Sequence, residues 1–160
     1  MAYVTNSDTD TVTPVDIATH TAGPPITVGS SPFAVAITPN GHDAYAVNSG
    51  GGSVTPIDTA TNAAGTPIAV GSQPQGIGIT PNGHDAYVEN TGGSTVTPID
   101  TATNTAETPI AVGAAPFAIV FTPDGTTAYV VNALSDTVSV IDTATNSVST
   151  TCLLYTSRCV

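Results

Sequence analysis

The chain repeats itself every 42 residues, and that period limits its fold more than any other feature. The segments AYVTN, AYAVN, AYVEN and AYVVN begin at Ala2, Ala44, Ala86 and Ala128. Asp16, Asp58, Asp100 and Asp142 each close an apolar run, and VGSSP, VGSQP and VGAAP start at Val28, Val70 and Val112. The turns TPNG, TPNG and TPDG start at Thr38, Thr80 and Thr122. No insertion breaks the register. Each copy therefore has the same structural task, and a short unit of this kind buries its apolar faces against its neighbours.

One unit reads as four short strands. PFAVAITP from Pro32 is the first, and the turn NGHD follows it, since Asn and Gly both tolerate positive φ. AYAVN is the second, and a Gly/Ser loop leads to the third, SVTPID. TATNAAG makes the next turn, where Asp58 just before it, Thr59 and Asn62 are placed to bond nearby backbone groups. TPIAVG is the fourth strand, and a Gly-Ser-x-Pro corner feeds the next unit.

Four strands in about 40–45 residues is the spacing of a β-propeller blade, whereas β-helices use shorter periods and helical repeats need a period of 3.6. The expected fold is all-β: blades of four antiparallel strands stacked face to face. Such stacking buries both faces of the inner strands, which accounts for the apolar or small runs FAVAI, GIGIT and AIVFT. Ala34, Ala36, Gly76 and Gly78 let neighbouring blades approach near the axis. Pro14, Pro56 and Pro98 fall inside strand three, where a proline removes a ladder donor; the fourth copy has Val140. The missing N–H is expected to face a short, incompletely paired outer strand, whose edge proline protects.

The formal net charge is −11, and the single Lys or Arg is Arg158. Nucleic acid is excluded as a partner on this ground, because affinity for phosphate backbones comes from Lys and Arg. Anionic membrane surfaces and phosphorylated substrates are disfavoured for the same reason. No stretch is long and apolar enough to span a bilayer. Cys152 and Cys159 do not match zinc spacing, and no phosphate loop or serine-nucleophile motif is present. No cofactor or metal is expected.

AYVTN, TPNG or TPDG, and TVSVIDTATN resemble the YVTN family of β-propeller repeats over roughly residues 1 to 150, most closely in Thr122 to Thr150. The resemblance implies a surface-layer, secreted or cell-surface protein with seven-bladed rings. Similar repeats occur in lactonase-like, lyase-like and metal-redox enzymes and in sensor domains. The first three copies depart from the family in carrying Pro in strand three, and His42 and His84 stand where the family often has Lys.

A ring of seven at this period needs about seven times 42 residues, so the array is read as about three and a half to four blades, half of a ring. The expected divisions are a partial blade over 1–31, whole blades over 32–73 and 74–115, and a partial blade over 116–150. The tail 151–160, TCLLYTSRCV, departs from the repeat and is read as lying outside the array. Met1 aligns inside a repeat, with Asp43 and Asp85, so the natural N-terminus is expected to lie upstream. Open flanks at both ends are expected to drive self-association.

Candidate site residues come from the loops joining strand four to strand one and strand two to strand three, the face that carries ligands in this fold. They are Ser30, Ser31, Asn48, Ser72, Gln73 and Asn90, with Gln75, which replaces Phe33 and Phe117. These neutral groups suit sugars or peptides. Glu89 replaces Thr5, Val47 and Val131, and with no basic partner available it is expected to reach solvent at the end of strand two or the mouth of a channel. His42–Asp43 and His84–Asp85 read as exposed turns and not as acid–base pairs, because adjacent strand residues point to opposite faces. The expected function is a secreted or cell-surface (or periplasmic) module for protein or carbohydrate binding or scaffolding. The alternatives are part of a propeller enzyme and the sensor domain of a receptor kinase.

Overall fold

The computed structural model describes residues 1–154, which form four antiparallel sheets and, within that range, no helix. Blade one holds β1 (Ala2–Asn6), β2 (Thr11–Asp16), β3 (Thr21–Ala22) and β4 (Ile26–Thr27). Blade two holds β5 (Pro32–Ile37), β6 (Asp43–Asn48), β7 (Ser53–Asp58), β8 (Ala63–Ala64) and β9 (Ile68–Ala69). Blade three holds β10 (Pro74–Ile79), β11 (Asp85–Asn90), β12 (Thr95–Asp100), β13 (Thr105–Ala106) and β14 (Ile110–Ala111). Blade four holds β15 (Pro116–Phe121), β16 (Thr127–Asn132), β17 (Thr137–Asp142) and β18 (Ser147–Leu153). β-Strands pair only within a blade, and the pairing repeats: Tyr45 lies opposite Pro56, Tyr87 opposite Pro98 and Tyr129 opposite Val140.

The outer strand departs from the single fourth strand expected. In blades one to three it is two short pieces that pair with the two ends of strand three: β8 with Ile57 and Asp58, β9 with Ser53 and Val54. The gap faces Pro56. The Pro56 carbonyl accepts the Gly65 N–H at 2.8 Å, so its nitrogen points outward too, to where the outer strand leaves the ladder. The expected placement of the proline is therefore correct. Blade four, with Val140 there, has one continuous outer strand, β18, in which Thr150 lies opposite Val140 and a bulge at Ser149 brings Val148 opposite Ile141.

The boundary expected after Thr150 is also passed without a break. β18 runs on through Thr151–Leu153, with Cys152 opposite Val138 as Ile68 lies opposite Val54 and Ile110 opposite Val96. The 42-residue register thus survives to Leu153. The rest of the tail, with Arg158 and Cys159, lies outside the described residues.

Blades are held by one apolar cluster per interface. Between blades two and three, Tyr45, Val47, Val54 and Ile68 meet Ala86, Val88 and Ile99. Full burial of each Val or Ile contributes about 1.5–3 kcal/mol. Gly78 confirms that small residues allow close approach, since a Cβ there would sit 2.6 Å from the Ile119 Cγ2 of the next blade.

A polar latch accompanies each apolar seam. The Tyr3 hydroxyl donates to Asn62 Oδ1 at 2.8 Å, Tyr45 to Asn104 at 2.8 Å and Tyr87 to Asn146 at 2.5 Å. The tyrosine comes from strand two of one blade and the asparagine from the turn after strand three of the next. Asn62, Asn104 and Asn146 have φ of +55°, +54° and +50°, a left-handed conformation that asparagine tolerates better than most residues.

Candidate ligand-binding face

At one end of each sheet the corner entering a blade and the loop between its strands two and three are tied by backbone. The Ser49 and Gly50 N–H groups donate to the Ser31 and Ser30 carbonyls at 3.0 and 3.1 Å. Thr91 and Gly92 donate to Gln73 and Ser72, both at 3.1 Å, and Ala133 and Leu134 to Ala115 and Ala114 at 2.9 and 3.1 Å. Ser31, Gln73 and Ala115 take left-handed φ of +51°, +48° and +53°. Ser30, Ser72 and Gln73 are exposed, while Ser31 is half-buried and its N–H donates to Asp10 Oδ1 at 2.7 Å. A Cβ on Gly92 would lie 2.7 Å from Gln73 Oε1, so the glycine gives that amide its place over the loop. Four of the expected ligand groups therefore share one face at 42-residue intervals.

Gln75 is the extra residue of a β-bulge: Pro74 pairs with Asn90 and Gly76 with Glu89, leaving Gln75 without an opposite partner. Phe33 and Phe117 hold the same bulge in blades two and four and are 55% and 59% exposed. These bulges sit on β5, β10 and β15, the strands that lie against one another at the inner edge of the array. Sequence reasoning named Gln75 but passed over the two exposed phenylalanines. Their recurrence was the available signal.

Asn48 and Asn90 must be removed from the ligand face. Both are fully buried. Asn48 Nδ2 donates to Ser53 Oγ at 3.1 Å and Thr55 Oγ1 at 2.9 Å; Asn90 Nδ2 donates to Thr95 and Thr97 Oγ1 at 3.0 and 2.8 Å. Asn90 Oδ1 accepts the Gly71 N–H at 2.9 Å. These amides bracket strands two and three beneath the face, which a surface cap could not do.

Glu89 also departs from expectation, being 1% exposed. Strand alternation puts it on the same side of β11 as Tyr87, against blade four. Its carboxylate lies over Gly76, where a Cβ would come within 2.7 Å of Oε2, and Oε2 has no hydrogen-bond partner. Burial pushes its pKa up to about 7, opposed by its own backbone N–H. Sister blades pair Ala34 with Val47 and Ala118 with Val131, so the larger acid stands opposite the smaller residue. Neither Glu89 nor either asparagine is accessible to a ligand.

The opposite end carries His42 and His84, both exposed. Their backbones are held: Asn40 Oδ1 accepts the His42 N–H at 2.9 Å and Thr59 Oγ1 donates to the His42 carbonyl at 3.0 Å. Asp43 faces Asp58 and Asp85 faces Asp100 across the strands. Burial raises the Asp85 pKa, and Glu107 and Asp100 add to the effect. Asp16, Asp58, Asp100 and Asp142 each accept backbone N–H bonds in the following turn, the role expected of them. Among the described residues no three His, Cys, Asp or Glu side chains converge in a metal-binding arrangement.

Residues 82–155 match the model of the YNCE-like β-propeller family. No protein of curated function matches the chain. Among solved structures, hydrazine synthase of Kuenenia stuttgartiensis superposes with a TM-score of 0.88 at 28% identity, over 96% of this chain and 46% of that one. A functionally unknown protein from Desulfotomaculum acetoxidans DSM 771 superposes with a TM-score of 0.72 at 24% identity, over 82% of this chain and 44% of that one. Dihydro-heme d1 dehydrogenase NirN in complex with DHE gives 0.76 at 13% identity, over 97% and 35%. The last two likenesses carry the fold alone. The chain spans less than half the length of each structure. Sheet topology, period and likeness agree on β-propeller blades, about four of them.

Proposed function

We propose that this array of blades is a binding or scaffolding module of the cell surface, secreted space or periplasm, taking neutral carbohydrate or a protein surface on its corner-and-loop face. One observation carries the reading: backbone bonds bring Ser30 and Ser31, then Ser72 and Gln73, to one face in equivalent positions of successive blades. Hydroxyl and amide groups repeated in this way match the repeating hydroxyls of an oligosaccharide or the backbone of a peptide. The charge of −11 also favours neutral or basic ligands over anionic ones. A glycan and peptide array tests it, with Ser72→Arg and Gln73→Arg as blocked variants. Retained binding to at least one neutral glycan or peptide, lost in both variants, is expected. No binding, or binding indifferent to both, overturns it.

A second reading is favoured by the likeness to hydrazine synthase: the blades serve as the propeller part of an enzyme whose reacting residues lie on other blades. A longer open reading frame encoding a histidine-rich blade supports that reading. One encoding a surface anchor supports the first.

A further inference from the structure

The hairpin joining strands one and two carries an Asn–Gly step in blades two and three, Asn40–Gly41 and Asn82–Gly83, and an Asp–Gly step, Asp124–Gly125, in blade four. The fold requires that glycine: Gly41, Gly83 and Gly125 have φ of +75°, +75° and +73°, where a side chain is costly. Asparagine before glycine is also the pairing that loses its amide most readily, because no side chain screens the glycine nitrogen. No other asparagine of the chain precedes a glycine. In the closed turn the reacting atoms are tied elsewhere. The Gly41 and Gly83 N–H groups donate to the Thr38 and Thr80 carbonyls, both at 2.8 Å. Asn40 Oδ1 accepts the Thr38 hydroxyl at 2.7 Å and the His42 N–H at 2.9 Å; Asn82 Oδ1 accepts the Thr80 hydroxyl at 2.7 Å and the His84 N–H at 3.0 Å. Both asparagines are exposed to water, whereas Thr38 and Thr80 are buried beneath them.

We propose that Asn40 and Asn82 are sites of spontaneous deamidation, that opening of the turn sets the rate, and that aspartate then takes their place with the hairpin kept. In the opened turn the Gly41 nitrogen gives up its proton and bonds to Asn40 Cγ, the Cγ–Nδ2 bond breaks, and Nδ2 leaves as ammonia. Water then adds to the Cγ carbonyl of the five-membered imide and the ring bond from Cγ to nitrogen breaks, which leaves aspartate and restores the Gly41 N–H. Water adding at the backbone carbonyl gives isoaspartate instead, whose longer main chain parts Gly41 from the Thr38 carbonyl. Blade four supplies the precedent for aspartate. Asp124 Oδ1 accepts the Thr122 hydroxyl at 2.5 Å and the Thr126 N–H at 3.1 Å, the two bonds that Asn40 and Asn82 make. The Thr122 hydroxyl and the Thr126 N–H hold the Asp124 carboxyl below the usual carboxylate range. The chemistry lies at the end of the blades opposite the loop face, and it stands or falls apart from ligand binding there.

Peptide mass spectrometry of the chain held in mildly alkaline buffer, folded and in urea, tests it. Asn40 and Asn82 are expected to be the first asparagines converted, and about tenfold or more slowly in the folded chain than in urea. Thr38→Val is expected to speed Asn40 in the folded chain by about tenfold, the size that losing one or two net hydrogen bonds gives to a local opening equilibrium, and to leave Asn82 at its wild-type rate. Thr80→Val is expected to do the converse. Asn40→Asp and Asn82→Asp are expected to keep the wild-type urea midpoint. Conversion as fast folded as in urea, or Thr38→Val speeding both residues or neither, overturns the gating. Conversion at another asparagine first, or at neither residue of the folded chain, overturns the sites, and a lowered midpoint for either aspartate variant overturns the fit. Should circular dichroism show that a valine variant has lost its sheets, the comparison with urea and the two aspartate variants decide the matter.

Discussion

The carboxylate of Glu89 fills the space that a side chain on Gly76 would need: a Cβ there would lie 2.7 Å from Oε2. The two residues are cross-strand partners, and no sister blade repeats the combination. The pair is a coupled exchange in an otherwise uniform array. It places a titratable group with an unpartnered oxygen in the seam between blades three and four.

Glu89→Val is therefore expected to stabilise the protein at neutral pH by about 1–3 kcal/mol, since it removes a buried carboxylate that lacks a partner. Gly76→Ala alone is expected to be destabilising through overpacking, by about 1–2 kcal/mol. In the Glu89→Val background the same alanine is expected to be neutral or stabilising. Urea midpoints of the four proteins check the change of sign, which a pair acting independently would not show.

The pH dependence has a defined direction. A carboxyl raised from 4.5 to about 7 binds its proton more tightly in the folded state, so its contribution to stability is complete below 4.5 and is lost as pH rises through 7. The loss is on the order of 3 kcal/mol. Wild type and Glu89→Gln are expected to diverge over that window in denaturant melts, the wild type losing stability relative to the variant as pH rises.

The latch between blades predicts a different asymmetry. Tyr45→Phe removes the bond to Asn104 Oδ1 at 2.8 Å and is expected to cost about 1–2 kcal/mol. Asn104→Ala is expected to cost more, because it leaves the hydroxyl only the longer bond to the Thr101 carbonyl at 3.3 Å and also places alanine at a φ of +54°. Burial, with Asp43 and Asp100 adding to it, raises the Tyr45 pKa to about 12, so this contribution is complete below pH 10 and is lost as pH rises through 12. Thermal melts of the two variants check the order.

Asn90→Ala separates support from recognition. It deprives Thr95 and Thr97 of a buried donor and is expected to cost about 1–3 kcal/mol in a urea melt. Any ligand affinity of the loop face measured well below the melting transition is expected to be unchanged. Ser72→Arg is expected to do the reverse.

The 42-residue period made the sheets legible, because each unit carries its own strands, turns and apolar alternation. Pro56 even disclosed which side of strand three the outer strand leaves. What stayed hidden were relations across blades. Tyr45 and Asn104 were visible as repeated letters, but a hydrogen bond between residues 59 apart is made by stacking, which local pattern does not encode. Glu89 was misread because acids are seldom fully buried, and the room made for it sits on another strand as Gly76, read only as a spacer between blades. Asn48 and Asn90 look like any loop asparagine until Thr55 and Thr97 are seen beneath the loop as their acceptors.

The central claim is that each unit closes its own small sheet and leans its flank on the next without sharing strands. NMR on the isotope-labelled chain tests this most directly through proton–proton contacts. The account predicts contacts between the Tyr45 ring and the Asn104 side chain, and between the Tyr3 ring and Asn62. It also predicts no cross-strand α-proton contact between Ile68–Ala69 and Pro74–Ile79. A ladder of such contacts joining the outer strand of one unit to the first strand of the next would contradict it.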